Sequence, residues 1–251
     1  MDIPLTDFDG NPCALINAAG LKRPIAGADC CVITFFPEVV EKVVREKKAK
    51  KIGRFAKDVG DFPLYGIPYK GKDVGIYYSG IGAPLAVLFF EQAIAYGFKR
   101  FVACGGAGVL KKDIQAGKIV IPSSALRDEG TSFHYQPASR IIEMDDAAVA
   151  VLEDEMKADG MPYIIGRTWT TDAPYRETKD KINQRVSEGC LTVDMECSAF
   201  IAVSRFRNVK FGQYLYAGDD LSGDDWDHRN WTTHDVRQYL FWKSIDGCLK
   251  L

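Results

Sequence analysis

Leu85 to Gly108 reads LAVLFFEQAIAYGFKRFVACGGAG, and the order of its parts sets the fold class. Leu85 to Tyr96 reads as a helix, stopped by Gly97 as helices often are. Arg100 to Cys104 is a short apolar strand that runs into Gly105-Gly106-Ala107-Gly108. Immediately before this unit, Asp73 to Tyr78 reads as a strand and Ser79-Gly80-Ile81-Gly82-Ala83-Pro84 as a turn. Further toward the N-terminus, Cys30 to Thr34 is a strand and Glu38 to Lys51 a helix rich in Val, Glu and Lys. On the other side come strands at Lys118 to Ile121 and Tyr163 to Thr171, and helices at Ala147 to Asp159 and Cys197 to Phe206. Phe211 to Ala217 is a strand aimed at Gly218-Asp219-Asp220. Thr233 to Leu249 has Val236, Leu240, Phe241, Ile245 and Leu249 near helical spacing. Alternation of this kind predicts a three-layer α/β sandwich with a largely buried sheet. Ligands in such sheets collect where strand ends meet glycine-rich turns, here at 80–82, 105–108 and 218–219.

The bulk composition excludes several classes of partner. Of 251 residues 47% are hydrophobic and 26% charged, ordinary for a globular chain with a substantial core. A net charge of -2 supplies no basic field for nucleic acid or an anionic membrane. The seven cysteines show no C-x-x-C spacing and several lie in apolar runs such as Asp29-Cys30-Cys31-Val32-Ile33, so reduced, buried thiols are expected and a metal site is not. The start Met1-Asp2-Ile3-Pro4 lacks a basic-then-apolar leader, and no stretch approaches the ~20 apolar residues of a membrane span. A cytoplasmic protein is expected.

Three segments can carry chemistry. Gly105-Gly106-Ala107-Gly108 fits neither G-x-G-x-x-G nor a P-loop; it is either a tight turn or a place where backbone amides approach a ligand. Val193-Asp194-Met195-Glu196 leads into the helix near Cys197, so Glu196 is either a helix-start acid or a carboxylate for the vicinal hydroxyls of a ribose. In Tyr216-Ala217-Gly218-Asp219-Asp220-Leu221 an acid follows an apolar strand, either as a loop or cap aspartate or as a proton donor whose pKa burial has raised. The doublet leaves open which acid acts.

In order and spacing these segments, with Gly80-Ile81-Gly82-Ala83-Pro84 and Thr171-Asp172-Ala173-Pro174-Tyr175, resemble the nucleoside phosphorylase family over roughly residues 28 to 222. The resemblance implies one domain over 1–251, with a central mixed sheet flanked by helices. It implies a pentosyltransferase that cleaves the N-ribosidic bond of a nucleoside, purine type favoured, to free base and ribose 1-phosphate. Val193 would line the base site, Met195 pack on the ribose and Glu196 hold its hydroxyls. Asp219 would assist the departing base, although Gly218 stands where a serine usually orients that acid. Gly106, Ala107 and Gly108 match backbone positions of the site. Pro174 stands where an aromatic often stacks on the base, with Tyr175 next to it, and His134 is a lid or 5′-end contact. No cofactor is implied. The partners are a small-molecule nucleoside, with phosphate, and further copies in a homo-oligomer, a dimer or a hexamer.

The match breaks at phosphate. The Gly-x-Pro-x-Arg segment appears as Phe35-Phe36-Pro37-Glu38-Val39, the second arginine matches Ala103 and the turn hydroxyl matches Gly106. Charge-assisted donors hold a phosphate dianion, so Arg54, Arg127 or Arg176 must replace the missing ligands. Otherwise water attacks, as in a nucleosidase, with Glu38 the nearest acid to activate it. A nucleoside-binding module without turnover is the remaining alternative.

Overall fold

The computed structural model describes residues 3–47, 49–55, 60–229 and 234–251. Among these residues ten strands run in chain order: β1 Cys30–Thr34, β2 Lys50–Arg54, β3 Pro63–Tyr69, β4 Lys72–Tyr78, β5 Arg100–Val109, β6 Ile119–Asp128, β7 Ile141–Glu143, β8 Tyr163–Thr171, β9 Cys190–Asp194 and β10 Lys210–Asp220. The helices are α1 Ala18–Leu21, α2 Pro37–Lys47, α3 Ala83–Ala95, α4 Asp146–Ala158, α5 Lys179–Ser187, α6 Cys197–Phe206 and α7 His234–Lys250.

All strands belong to one mixed sheet, ordered β10-β6-β8-β9-β5-β1-β4-β3-β2, with β7 on β6. Because β10 also pairs with β5, the strands β5, β10, β6, β8 and β9 close into a ring, a small barrel, and β1, β4, β3 and β2 extend from its wall. Pairing is parallel for β1 with β4 and β5, β5 with β10, and β8 with β6 and β9. It is antiparallel for β10 with β6 and for β5 with β9.

Successive side chains of a strand point to opposite faces, and here each face has its own core. Cys31, Ile33, Phe101 and Ala103 pack with Phe89 and Phe90 of α3 and Phe200 of α6. Cys30, Val32, Val102 and Cys104 pack with Val39 and Val43 of α2, Leu152 of α4 and Leu240 and Phe241 of α7. Helices on both faces of a buried sheet are the layers that the alternating sequence predicts, and the closed ring is an addition to them.

Two expectations are corrected. The helix expected over 38–51 ends at Lys47, and Lys50–Arg54 forms an edge strand paired antiparallel with β3. Lysines suit a sheet edge, where charge discourages pairing with another chain. The glycines 105–108 are not a turn after a strand; they lie inside β5. Large side chains lie close over their backbone: a Cβ on Gly105 would stand 3.0 Å from the Phe35 ring, on Gly106 3.1 Å from Tyr216, and on Gly108 2.4 Å from a Leu221 methyl, so a larger residue at any of them would displace a neighbour. Of the C-terminal helix expected from Thr233, His234–Lys250 is helical and Thr233 lies outside the described residues.

Candidate active site

β5 lies between β10 and β9, so its glycine stretch is flanked by both remaining motifs. Ala107 pairs with Ala217, two residues before Asp219, and Gly108 pairs with Val193. A cavity of about 330 Å³ opens at this junction. Gly106, Ala107 and Gly108 of β5, Val193, Asp194, Met195 and Glu196 at the β9–α6 junction, and Gly218 and Asp219 of β10 line it. Phe35, Phe36, Ile81, Pro174, Glu177, Tyr216, Leu221 and Arg237 complete the wall.

Glu196 and Asp219, 23 residues apart in sequence, therefore face one cavity. Glu196 is 6% exposed, and its Oε1 accepts a 2.6 Å hydrogen bond from the Gly82 amide. Burial, and then the charge of Asp194, push its carboxyl up to about 8. Asp194 holds the junction together. Its Oδ2 accepts from the amides of Glu196 (2.9 Å) and Cys197 (2.6 Å), and its Oδ1 from the hydroxyls of Thr170 (2.9 Å) and Thr168 (3.2 Å). These bonds cap the start of α6 and tie it to β8.

Of the Asp219-Asp220 doublet, Asp219 lines the cavity. Its Oδ2 accepts from Trp226 Nε1 at 2.7 Å, so an indole orients the acid where Gly218 offers no hydroxyl. Asp220 does not line the cavity; it binds Arg229 (2.7 Å) and the Ser222 amide (2.8 Å). Burial pushes its carboxyl up, but those donors outweigh it and hold it below the ordinary value.

None of Arg54, Arg127 and Arg176 lines the cavity. Arg127 is buried elsewhere, its guanidinium donating to Ser132 and Ser139 hydroxyls and to the carbonyls of Gln136 and Pro137. Arg54 lies on the edge strand β2, and Arg176 is exposed in the turn Pro174–Arg176. Tyr175 is 99% exposed and outside the lining. His134 borders a different cavity, of about 530 Å³, beside Glu91, Gln92 and Tyr135. Among the described lining residues the one cation is Arg237 of α7. Its Nε donates to the Tyr216 hydroxyl (2.8 Å) and its Nη1 to Glu38 (3.1 Å), and the guanidinium lies over the Phe36 and Tyr216 rings. Arg237 and Glu177 belong to no motif; the packing of α7 brings the first to the cavity and the turn after β8 the second, while the register of β10 on β5 places Tyr216, the first residue of the third motif, beside Gly106.

The Phosphorylase superfamily model matches residues 29–238. The chain belongs to this superfamily. Among curated relatives it is 25% identical over 170 residues to guanosine phosphorylase of Halorubrum lacusprofundi, covering 65% of this chain and 70% of the relative. It is 26% identical over 189 residues to the DeoD-type purine nucleoside phosphorylase of Bacillus cereus, covering 72% and 76%. Purine nucleoside phosphorylase from Toxoplasma gondii, solved with immucillin-H, shares the fold with a TM-score of 0.77 at 18% identity, covering 89% of this chain and 92% of that one. Uridine phosphorylase from Vibrio fischeri does so with a TM-score of 0.75 at 19% identity, covering 88% and 92%. The superfamily phosphorylase architecture and the placement of the three motifs thus go together in this chain.

Proposed function

We propose that this chain cleaves the N-ribosidic bond of a purine nucleoside and that water accepts the ribosyl group. The observation that carries the reading is the facing of Glu196 and Asp219 into one cavity of about 330 Å³, beside Met195 and strand-glycine backbone. In this reading Glu196 takes the ribose hydroxyls, Met195 packs on the sugar, and Val193 with Ala107 and Gly108 borders the base. Asp219, steadied by Trp226, gives a hydrogen bond and then a proton to a ring nitrogen as the base departs. The C1′–N bond breaks toward an oxocarbenium-like sugar, and the acceptor oxygen closes on C1′. No step calls for a cofactor. The two curated relatives, a guanosine phosphorylase and a purine nucleoside phosphorylase, support a purine base.

Charge supports water as the acceptor. The described lining offers a single cation, Arg237, already engaged by Tyr216 and Glu38, and Phe35 and Phe36 stand beside it. A phosphate dianion placed there loses hydration without enough donors to replace it. Phosphorolysis is the second reading. The relatives' names favour it, and so does Arg237, whose guanidinium and Tyr216 partner lie at the Gly106 end of the cavity. It needs a second cation, which a neighbouring copy in a homo-oligomer would have to lend.

Release of free base from purine nucleosides and uridine by the wild type, Asp219→Ala and Glu196→Ala chains tests the proposal. A purine gains from protonation of its imidazole nitrogen, whereas uracil leaves as a delocalised anion. Asp219→Ala is expected to lower kcat on purine nucleosides by about 10²–10⁴-fold, the worth of a positioned acid. Glu196→Ala should dominate on any pyrimidine substrate. Negligible loss from both changes would remove both residues from the reaction.

A further inference from the structure

We infer that Trp226 is the positioning residue of the leaving-group acid: its indole N–H turns the Oδ1 of Asp219 to the base, and a latch of Asp220 and Arg229 holds the loop that carries it. The inference rests on the proposed N-ribosidic cleavage. Trp226 is 60% exposed, so burial does not account for where its ring stands. Its Nε1 donates to Asp219 Oδ2 at 2.7 Å, and its ring meets that of His228 edge-on with centroids 6.0 Å apart.

The loop is placed by backbone pairing. Past an irregularity between Ala217 and Asp220, the chain leaves β10 and turns back, and Asp220 and Asp227 form an isolated antiparallel bridge. The Asp220 amide donates to the Asp227 carbonyl at 2.8 Å, and the Asp227 amide to the Asp220 carbonyl at 3.0 Å. Successive side chains of an extended chain point to opposite faces. Asp219, Leu221, Trp226 and His228 therefore share one face of the pair, and Asp220, Asp227 and Arg229 the other. On that second face Arg229 Nη2 donates to Asp220 Oδ2 at 2.7 Å and to the Ile114 carbonyl at 3.1 Å. Asp220 Oδ1 accepts from the Ser222 amide, and Asp227 Oδ1 from the Arg229 amide, both at 2.8 Å. The two acids of the doublet thus have separate tasks: Asp220 closes the loop, and Asp219 meets the donor that the loop presents.

A carboxyl oxygen that accepts from the indole is not the one that carries the acid proton. With Oδ2 taken, the proton sits on Oδ1. That oxygen lies over Gly108, where a Cβ would stand 3.6 Å from it, beside Leu221 and Val193 of the cavity wall. As the C1′–N bond breaks, its electron pair stays with the purine and the Oδ1 proton passes to a ring nitrogen. Water bonds to C1′ through its oxygen and gives a proton to solvent. The Asp219 carboxylate then takes a proton back from water, so atoms and charge balance. The indole stays on Oδ2 throughout, and its bond strengthens as the carboxylate forms. Because Trp226 acts through Asp219, it touches neither base nor sugar.

Trp226→Phe keeps an aromatic ring and removes the donor. Its kinetics are compared with wild type on a purine nucleoside that the wild type cleaves and on the 7-methyl derivative of that nucleoside, whose base already carries the positive charge that protonation supplies. On the first, kcat should fall roughly 10–100-fold, the worth of one hydrogen bond to a charged group, with KM little changed. On the 7-methyl nucleoside kcat should hardly move. Asp220→Ala, at a residue outside the cavity lining, should give the same split by releasing the loop. An equal loss on both substrates would make Trp226 merely structural, and no loss on either would remove it from the reaction. Asp220→Ala at wild-type rates overturns the latch. A nitrogen-15 spectrum reads the contact without turnover. The Trp226 indole N–H, assigned by its absence in Trp226→Phe, should shift and exchange faster with water in Asp219→Ala. A signal that Asp219→Ala leaves unchanged overturns the hydrogen bond. A wild type that releases no base overturns the proposed function instead, and the spectrum then decides the contact alone.

Discussion

Glu196 is 6% exposed, with one oxygen held by the Gly82 amide, and its carboxyl rises from an ordinary 4.5 to about 8. The folded chain therefore binds that proton more tightly than the unfolded chain. Its contribution to stability is complete below about pH 4.5 and is lost as pH rises through about 8. Glu177, pushed up to about 7, acts in the same direction. Glu196→Gln removes one of these titrations. Urea unfolding at pH 5, 7 and 9 should show wild type losing stability relative to Glu196→Gln as pH rises, by roughly 2–4 kcal/mol across the window. Parallel stability curves would mean that Glu196 is not buried as described. The sequence offered Glu196 as either a helix-start acid or a diol ligand. The structure makes it the residue preceding α6 and also a wall of the cavity, so the two readings are compatible.

At the β9–α6 junction the helix starts on Asp194, whose two oxygens accept four hydrogen bonds from β8 and from the first amides of the turn. Asp194→Ala would leave two buried amides and the Thr170 hydroxyl short of an acceptor, while the Thr168 hydroxyl can turn to the Thr192 carbonyl. A loss of roughly 2–4 kcal/mol in unfolding free energy is expected, with Asp194→Asn losing less because one oxygen remains. Base release should fall in Asp194→Ala even under conditions where the chain is folded, because Glu196 loses the support of its own amide. A stable Asp194→Ala chain with full activity would show that the junction is held by packing alone. Elements such as β1, β8 and α6 were legible because apolar runs or helical spacing coincide with their bounds. Lys50–Arg54 was not, because its lysines continue the pattern of the helix before it and only pairing with β3 reveals an edge. The glycines of β5 were read as a turn for a related reason: the side chains that lie over them, Phe35, Tyr216 and Leu221, come from distant segments.

Closure of five strands into a ring is what brings three separate motifs to one cavity, since β5 can hold β9 on one side and β10 on the other. The motif-bearing part of the cavity lining was readable because its residues are contiguous at strand ends: Gly106 to Gly108, Val193 to Glu196, and Gly218-Asp219. Arg237 and Glu177 were not readable, since an arginine in an amphipathic helix and a glutamate after a short turn look like any solvated charge until the packing is known. The absence of Arg54, Arg127 and Arg176 from the cavity, with Arg237 in their stead, bears on the acceptor. The most direct test is to incubate the protein with a purine nucleoside in oxygen-18 water, with and without phosphate, and to weigh the sugar product by mass spectrometry. Free ribose carrying the heavy oxygen, formed together with free base at a rate indifferent to phosphate, is the expected result. Ribose 1-phosphate formed at a rate that rises with phosphate would contradict water as the acceptor, and no base released from any nucleoside would contradict the function itself.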